Sequence, residues 1–519
     1  MIALKPLARS AGPRAITAFL RTTERRLEGF DRAIARAEFR LYIGRPEKEE
    51  SRWHLRRSEW LSDPFTRESV REAQTHVRSP GLRRRLELLE RALVEAQIEQ
   101  HPPIVRIRTA ALRRIARFRP KWKDRRVDRI VPENALRRSP RRRERRSAYY
   151  AEEPLHRTLE ATLRKLVELR NDRARALGFR SYPEYKLETE GLTVSRLNEL
   201  IDSALAGVPA RLRRIQERFR VRTGLSDWYP WDLDYLREVE GGLPEAAFPA
   251  NRMMTDVLEG ARGWGFRPAQ LGFRVAWHDT PFGGLEIPVD PPRDVRIVAT
   301  AQPGWLYRCV LFHEVGHAIH DRSTRVPTHL LRWHGFLPGF NSMCEGIGAV
   351  FEELSSSREW LASRRDLTPE EIDRHRALQS ETELGRMVYH AEQIRAEIEL
   401  YLHPERDSTP GRKRFLRTML GYDDFRPLSV ATAFSIGSPC YLPSYVLATL
   451  FAKQLLEAMF AEIGGSIWPN PQVGPWLIER WLRHGASHDW IPWVRTTTGS
   501  EFGPGAFRRA TAPGSSKEG

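Results

Sequence analysis

The sequence predicts a mainly α-helical protein with one small antiparallel β-sheet beside its central helix, and three observations carry that prediction. Apolar residues recur every third or fourth position through most of the 519 residues. Candidate helix starts carry cap residues, as at Ser79 followed by Pro80. One segment alone, from about Phe273 to Thr300, changes to short runs bounded by Gly, Pro and Asp.

Taken in order, residues 15 to 100 read as helices, first through ITAFLRTTERRLEGFDRAIARAEFRLYI and then through SPGLRRRLELLERALVEAQIEQH, which His101-Pro102-Pro103 ends. A long helix is predicted from about Pro154 to Leu177, with Leu155, Leu159, Leu163, Leu166 and Leu169 on one face and Gly178 as its stop. Two more follow, Thr193 to about Arg222 and about Ala246 to Trp264. The stretch between them, TGLSDWYPWDLDYL, is so rich in turn formers that an irregular connection is expected. FRVAWHD, a turn from Pro281 to Gly284, GLEIPV, the break DPPRD and VRIVAT then read as antiparallel strands. From Trp305 the pattern is helical again, interrupted near 324–341 and 407–412, and the tail TAPGSSKEG reads as disordered.

Composition narrows the class. With 40% hydrophobic residues and 15 Trp, the chain has enough apolar surface to bury a core, which excludes wholesale disorder. The most apolar stretch, Tyr445 to Phe460, is interrupted by Lys453, Gln454 and Glu457, so no membrane span is expected. Arg9, Arg14 and Arg21 break up any secretory h-region, and Cys309, Cys344 and Cys440 form neither a disulfide framework nor a CxxC site, which points to the cytoplasm. The formal net charge is +18, yet residues 101–150 hold 18 Lys or Arg against four acids and account for most of it. Such a stretch commonly forms a solvated face, although it can bind a polyanion.

The chemistry concentrates in YRCVLFHEVGHAIHD. On a helix, His313 and His317 share a face one turn apart and can present two imidazoles to one ion, with Glu314 beside them. A catalytic zinc takes three protein ligands and keeps one open position, so a third is required. NSMCEGIGAVFEEL supplies Glu345, 28 residues beyond His317, on a helix that Asn341 or Ser342 would cap. Gly346, Gly348 and Ala349 would let that helix lie close to the first; Glu352 and Glu353 sit two turns further along. One zinc per chain would then activate a water, with Glu314 as the general base. Tyr445, with Tyr441 one turn away as the fallback, is the candidate to stabilise the oxyanion, against the plainer reading of a packing tyrosine.

HEVGHAIHD, Glu345 with Glu352 seven residues on, and the Tyr445 segment together resemble the zinc oligopeptidases of the gluzincin group, above all the thimet-oligopeptidase and oligoendopeptidase family, with features of the angiotensin-converting-enzyme family. LRNDRARALGFRSYPEY near residue 170 and YPWDLDY near 230 are similar to segments upstream of the motif in those enzymes, and the likeness covers about residues 150 to 500. It implies a prolate helical body split by a deep channel that admits short unstructured peptides. Residues 1–150 would form a lid or channel wall, 151–508 the catalytic region, and 509–519 the tail. It also implies zinc on His313, His317 and Glu345, Glu314 as base, Glu352 beside the ligands, Tyr445 on the oxyanion, and a peptide strand paired to the sheet edge at Asp294 to Ala301.

The sequence departs from that pattern in three places. The stretch ATAFSIGSPC lacks the histidine that family members place ten to twelve residues before the tyrosine. Ala349 stands where the converting-enzyme relatives have an aspartate. No cationic clamp for a peptide C-terminus is evident, which leaves endopeptidase and carboxypeptidase action both open. His320, His329 and His334 need no metal role, Cys344 reads as a small buried thiol, and Trp228 and Trp231 read as core. Two rival functions follow: a zinc hydrolase of this fold specialised for one peptide or a non-peptide amide, and a nucleic-acid-binding protein using Arg137 to Arg146.

Overall fold

Helices form where the apolar spacing runs unbroken and a cap starts it. The computed structural model describes residues 4–8, 11–45, 50–225, 229–280, 283–332, 337–364, 366–422 and 425–512. The first helix, Pro13–Tyr42, begins on a proline and buries Ile16, Leu20, Leu27, Phe30 and Ile34 along one stripe. Helix Pro80–Glu99 starts as its sequence predicts, with Ser79 Oγ accepting from the Leu82 amide at 3.4 Å. Helix Glu153–Ala176 buries Leu155, Leu159, Leu163 and Leu166, and Gly178 follows it at φ +94.

Two helical expectations are corrected. The span 193–222 is two helices, Val194–Leu205 and Val208–Thr223, parted where Gly207 takes φ +79, a left-handed value that ends a helix. Conversely, YPWDLDYL is regular: Pro230 opens helix Pro230–Gly241, and the Asp232 carboxylate accepts from the Tyr229 amide at 3.1 Å. Its one proline and its first aspartate are helix starters, not breakers.

The three strands Arg274–Trp277, Gly284–Asp290 and Asp294–Ala299 fall where expected, but their sheet is mixed. Asp294–Ala299 lies in the middle, antiparallel to Gly284–Asp290 and parallel to Arg274–Trp277. It is therefore no edge, and the expected pairing of a peptide along Asp294 to Ala301 is ruled out because both sides of that strand already carry ladder partners. The strand beside the motif helix is Gly284–Asp290. Residues 281 and 282 of the expected turn lie outside the described residues.

One large core cluster joins residues from both sides of position 150, among them Leu20, Leu93, Leu311, Ile347 and Leu450. A second, around Leu163, Tyr182 and Tyr401, packs beneath helix Glu153–Ala176. Helix Gly505–Ala510 includes the start of the expected tail, and Thr511 is buried after it; residues 513–519 lie outside the described residues. Among the described residues, no helix is long and apolar enough to cross a membrane.

Four helices carry the site: the motif helix Trp305–Ser323, the Glu345 helix Asn341–Ser355, the long helix Pro369–Leu402 and the tyrosine helix Leu442–Ile463. The Glu345 helix is pressed between the motif and tyrosine helices because its contact residues are small. A Cβ on Gly346 would run into the Phe451 ring, and one on Gly348 would stand 2.5 Å from the His313 ring. Its first amide is satisfied from afar. Neither Asn341 nor Ser342 caps the helix; the Asn341 amide donates to Glu190 at 3.2 Å, and the same carboxylate accepts from Trp490 Nε1 at 3.0 Å.

Candidate metal centre

His313 and His317 face one another from successive turns of the motif helix, with their Nε2 atoms 2.9 Å apart. Glu345 reaches across from its own helix to bring Oε2 within 3.3 Å of His313 Nε2. Among the described residues, these three form the one His, Cys, Asp and Glu group whose donor atoms all lie close enough, within 4.8 Å of one another, to hold a metal ion.

The donor chemistry fits a divalent cation. His313 Nδ1 is 2.8 Å from Glu352 Oε1, so its proton sits on Nδ1 and the bare Nε2 lone pair turns toward His317 and Glu345. Glu345 Oε1 is held by the Tyr441 hydroxyl at 2.5 Å, which leaves Oε2 free to ligate. Burial alone would raise the Glu345 pKa, but the His313 hydrogen bond, the charges of both histidines and the Tyr441 hydroxyl outweigh it and hold the carboxyl down at about 2. Two imidazoles and a carboxylate with an inner bond on each of two members make a zinc-type ligand set.

Glu314 lies beside the ligands, between them and the sheet. Its Oε2 accepts from the Glu286 amide of strand Gly284–Asp290 at 2.7 Å, so the sheet edge aims the carboxylate. The strand can come this near because residue 284 is glycine: a Cβ there would lie 2.8 Å from Glu314 Cγ. Burial, and then the charge of Glu345, raise the Glu314 pKa against the opposing charge of His313, to about 7, the range suited to a base that must also give its proton back.

The centre opens on a cleft of about 670 Å³ whose walls include His313, Glu345, Glu352, Arg386, His390 and Tyr445. The two candidate tyrosines are separated by this geometry. The Tyr441 hydroxyl is committed to Glu345, whereas Tyr445, one turn on, lines the cleft. Burial, followed by the surrounding carboxylates, pushes the Tyr445 pKa up, so its hydroxyl stays protonated and able to donate.

Two cleft residues escape the sequence reading. His390 of the long helix lies tilted against the Tyr445 ring at 5.8 Å, and burial together with the nearby Arg386 charge lowers its pKa to about 4, leaving it neutral. It brings an imidazole to Tyr445 from a different helix than the stretch before Tyr445, which has none. Arg386, also on the long helix, is exposed to the cleft and makes no ion pair among the described residues. A separation of about one turn between Arg386 and His390, on a helix read from its pattern alone, carries no hint that both face the cleft.

The remaining candidates stay outside the centre. His320 is buried in the motif helix, and His329 Nε2 pairs with Asp31 at 2.9 Å. His334 and Trp228 lie outside the described residues. Cys344 is packed against the core, and burial raises its thiol pKa well above the ordinary value. Trp231 stacks on Tyr229 at 4.7 Å within an aromatic cluster with Tyr149 and Phe425, as a core residue.

Known proteins share this arrangement of helices. Trypanosoma cruzi metallocarboxypeptidase 1 superposes with a TM-score of 0.67 at 18% identity, covering 95% of this chain and 98% of that one. A Pyrococcus furiosus carboxypeptidase gives 0.67 at 16% identity, covering 96% and 99%. This chain shares the fold of these two carboxypeptidases. An M32 carboxypeptidase from Deinococcus radiodurans R1 agrees, with a TM-score of 0.61, 15% identity and coverage of 95% and 97%. Residues 135–248, upstream of HEVGH, match the model of peptidase family M3. That match includes both LRNDRARALGFRSYPEY and YPWDLDY. No curated protein matches the sequence. The resemblance to the gluzincin zinc peptidases holds, and the comparisons support a metallopeptidase; the solved neighbours are carboxypeptidases where the motif reading leaned to an oligoendopeptidase.

Proposed function

We propose that this protein is a zinc peptidase that hydrolyses short unstructured peptides and releases residues from their C-terminal end. The observation that carries the reading is the convergence of His313, His317 and Glu345 with the buried Glu314 beside them. His313, His317 and Glu345 would hold a zinc ion, which when bound would supply an activated water and a Lewis acid for the carbonyl. Glu314, anchored through one oxygen to the Glu286 amide, uses the other to take the water proton as the water oxygen adds to the peptide carbon. When the C–N bond breaks, Glu314 returns the proton to the leaving amine. The Tyr445 hydroxyl donates to the carbonyl oxygen as charge builds there, and the neutral His390 ring braces it.

The C-terminal mode rests on Arg386. A guanidinium without an ion-pair partner in the same cleft suits a free carboxylate, bound bidentately one residue beyond the scissile bond. The solved neighbours are named carboxypeptidases, which agrees.

The test measures metal content and peptide products together. Purified protein and Glu314→Gln are assayed for zinc, then incubated with short peptides bearing free or amidated C-termini and read by mass spectrometry. The expected result is about one zinc in each, with cleavage by the unaltered protein alone and C-terminal residues as products from free peptides only. Zinc without cleavage of any peptide would pass the function to a specialised hydrolase, and absence of bound metal would sink the reading.

A further inference from the structure

The basic segment left unused by the peptidase reading builds a second pocket, away from the metal centre. Its strands Lys121–Trp122 and Arg125–Arg126 form a small antiparallel hairpin that packs near helix Arg142–Tyr149, and together they enclose a shallow cavity of about 670 Å³. Four cations line it, Lys121, Arg126, Arg143 and Arg146, with the rings of Phe118 and Tyr150 on the wall and no acidic residue among the lining.

Several neighbours in the segment are already paired: Arg129 with Glu152, Arg137 with Glu133, Arg138 with Glu245, and Arg142 and Arg145 with the buried Asp232. What sets Lys121, Arg126, Arg143 and Arg146 apart is that they gather around one cavity. Arg126, Arg143 and Arg146 make no ion pair among the described residues; Arg146 rests on the Trp231 ring at 5.5 Å. Lys121 meets only Asp124 at 3.2 Å, a pair so exposed that it holds the ammonium weakly. A fourth guanidinium, Arg426, lies 5.1 Å from the Tyr150 ring. Like charges crowded around one concavity repel, and an anion entering it relieves that repulsion.

We propose that this pocket binds a nucleoside polyphosphate. Three guanidiniums offer planar forks that match phosphate oxygens bidentately, the lysine adds a point charge, and the aromatic wall takes the base. A cavity of this size holds one small molecule rather than a strand.

Isothermal titration at 0.15 M salt tests it, with ATP, tripolyphosphate and adenosine as probes on the full chain. The expected result is saturable one-to-one binding of ATP, weaker binding of tripolyphosphate and none of adenosine. Arg143→Ser with Arg126→Ser should weaken ATP by at least about tenfold, since each removes a charge-assisted contact, while the melting midpoint stays unchanged. Arg113→Ser with Arg114→Ser, which removes equal charge from outside the pocket, should leave ATP binding intact. No saturation by 1 mM ATP, equal loss in both double variants, or binding of single-stranded RNA in place of ATP would overturn the proposal.

Discussion

Replacing Gly348 with alanine tests whether helix packing sets the metal centre. The new methyl would stand 2.5 Å from the His313 ring, against the 3.4 Å at which ordinary contact begins. The ring must therefore retreat by roughly 0.9 Å or the helices must part, and neither motion is free. His313 is tied at Nδ1 to Glu352, and the opposite face of the Glu345 helix has no slack because Gly346 already abuts Phe451. Metal–nitrogen bonds tolerate only about 0.2 Å, so His313 should be lost as a full ligand and zinc affinity should fall by about 100-fold or more. The fold should suffer less, since alanine restores up to about 1 kcal/mol of helix propensity. Chelator competition reports the affinity, and thermal melting of the metal-free protein reports the fold. If zinc binds Gly348→Ala as tightly as the unaltered protein, the three residues do not hold the metal in the way their geometry indicates.

The two tyrosines should separate cleanly. Tyr445→Phe is expected to lower kcat by about 10²- to 10³-fold at unchanged zinc affinity, and His390→Ala by on the order of tenfold; Tyr441→Phe, which frees Glu345, should instead weaken zinc by at least about tenfold. Equal kinetic losses with unchanged zinc in both tyrosine variants would void the assignment. Arg386→Gln should raise KM at least about tenfold for peptides with a free C-terminus, and an unaltered protein that cleaves amidated peptides equally well would refute the clamp. Glu99, buried beside Arg170 and Arg108, gives an acid signature. Burial raises its pKa, but the two guanidiniums outweigh it and hold the carboxyl near 2, below its unfolded value. Its contribution, about 3 kcal/mol, is thus present above pH 4.5 or so and is lost as pH falls toward 2. Urea melts should show Glu99→Gln less stable at pH 6, with the gap to the unaltered protein narrowing below about pH 4.5 and closing only toward pH 2; a constant gap would contradict this.

Much of the fold was legible because its cues are local. The Ser79-Pro80 start, the Leu155 to Leu166 stripe and the Gly178 stop each act within one or two helical turns, and each lies where its spacing places it. Illegible features depend on partners far along the chain. The order of the sheet follows from whether Arg274–Trp277 pairs with its sequence neighbour or with Asp294–Ala299, and alternation cannot tell these apart because both choices bury the same face. The amide of Asn341 was expected to be capped locally; Glu190, 151 residues earlier, does it.

The site divides along the same line. His313, Glu314 and His317 could be read because one helix fixes their mutual spacing, and Glu345 because small residues beside it signal a close helix contact. Tyr445 and its fallback Tyr441 were one turn apart, and only the third dimension shows that Tyr441 is tied to Glu345 while Tyr445 faces the cleft. His390 shows why a missing motif residue is weaker evidence than it looks. The proposed mechanism calls for an imidazole near the Tyr445 ring, and a neutral one stands 5.8 Å away on a helix that no linear spacing connects to it. A position in a motif is one way of delivering a side chain to a point in space, and a neighbouring helix is another.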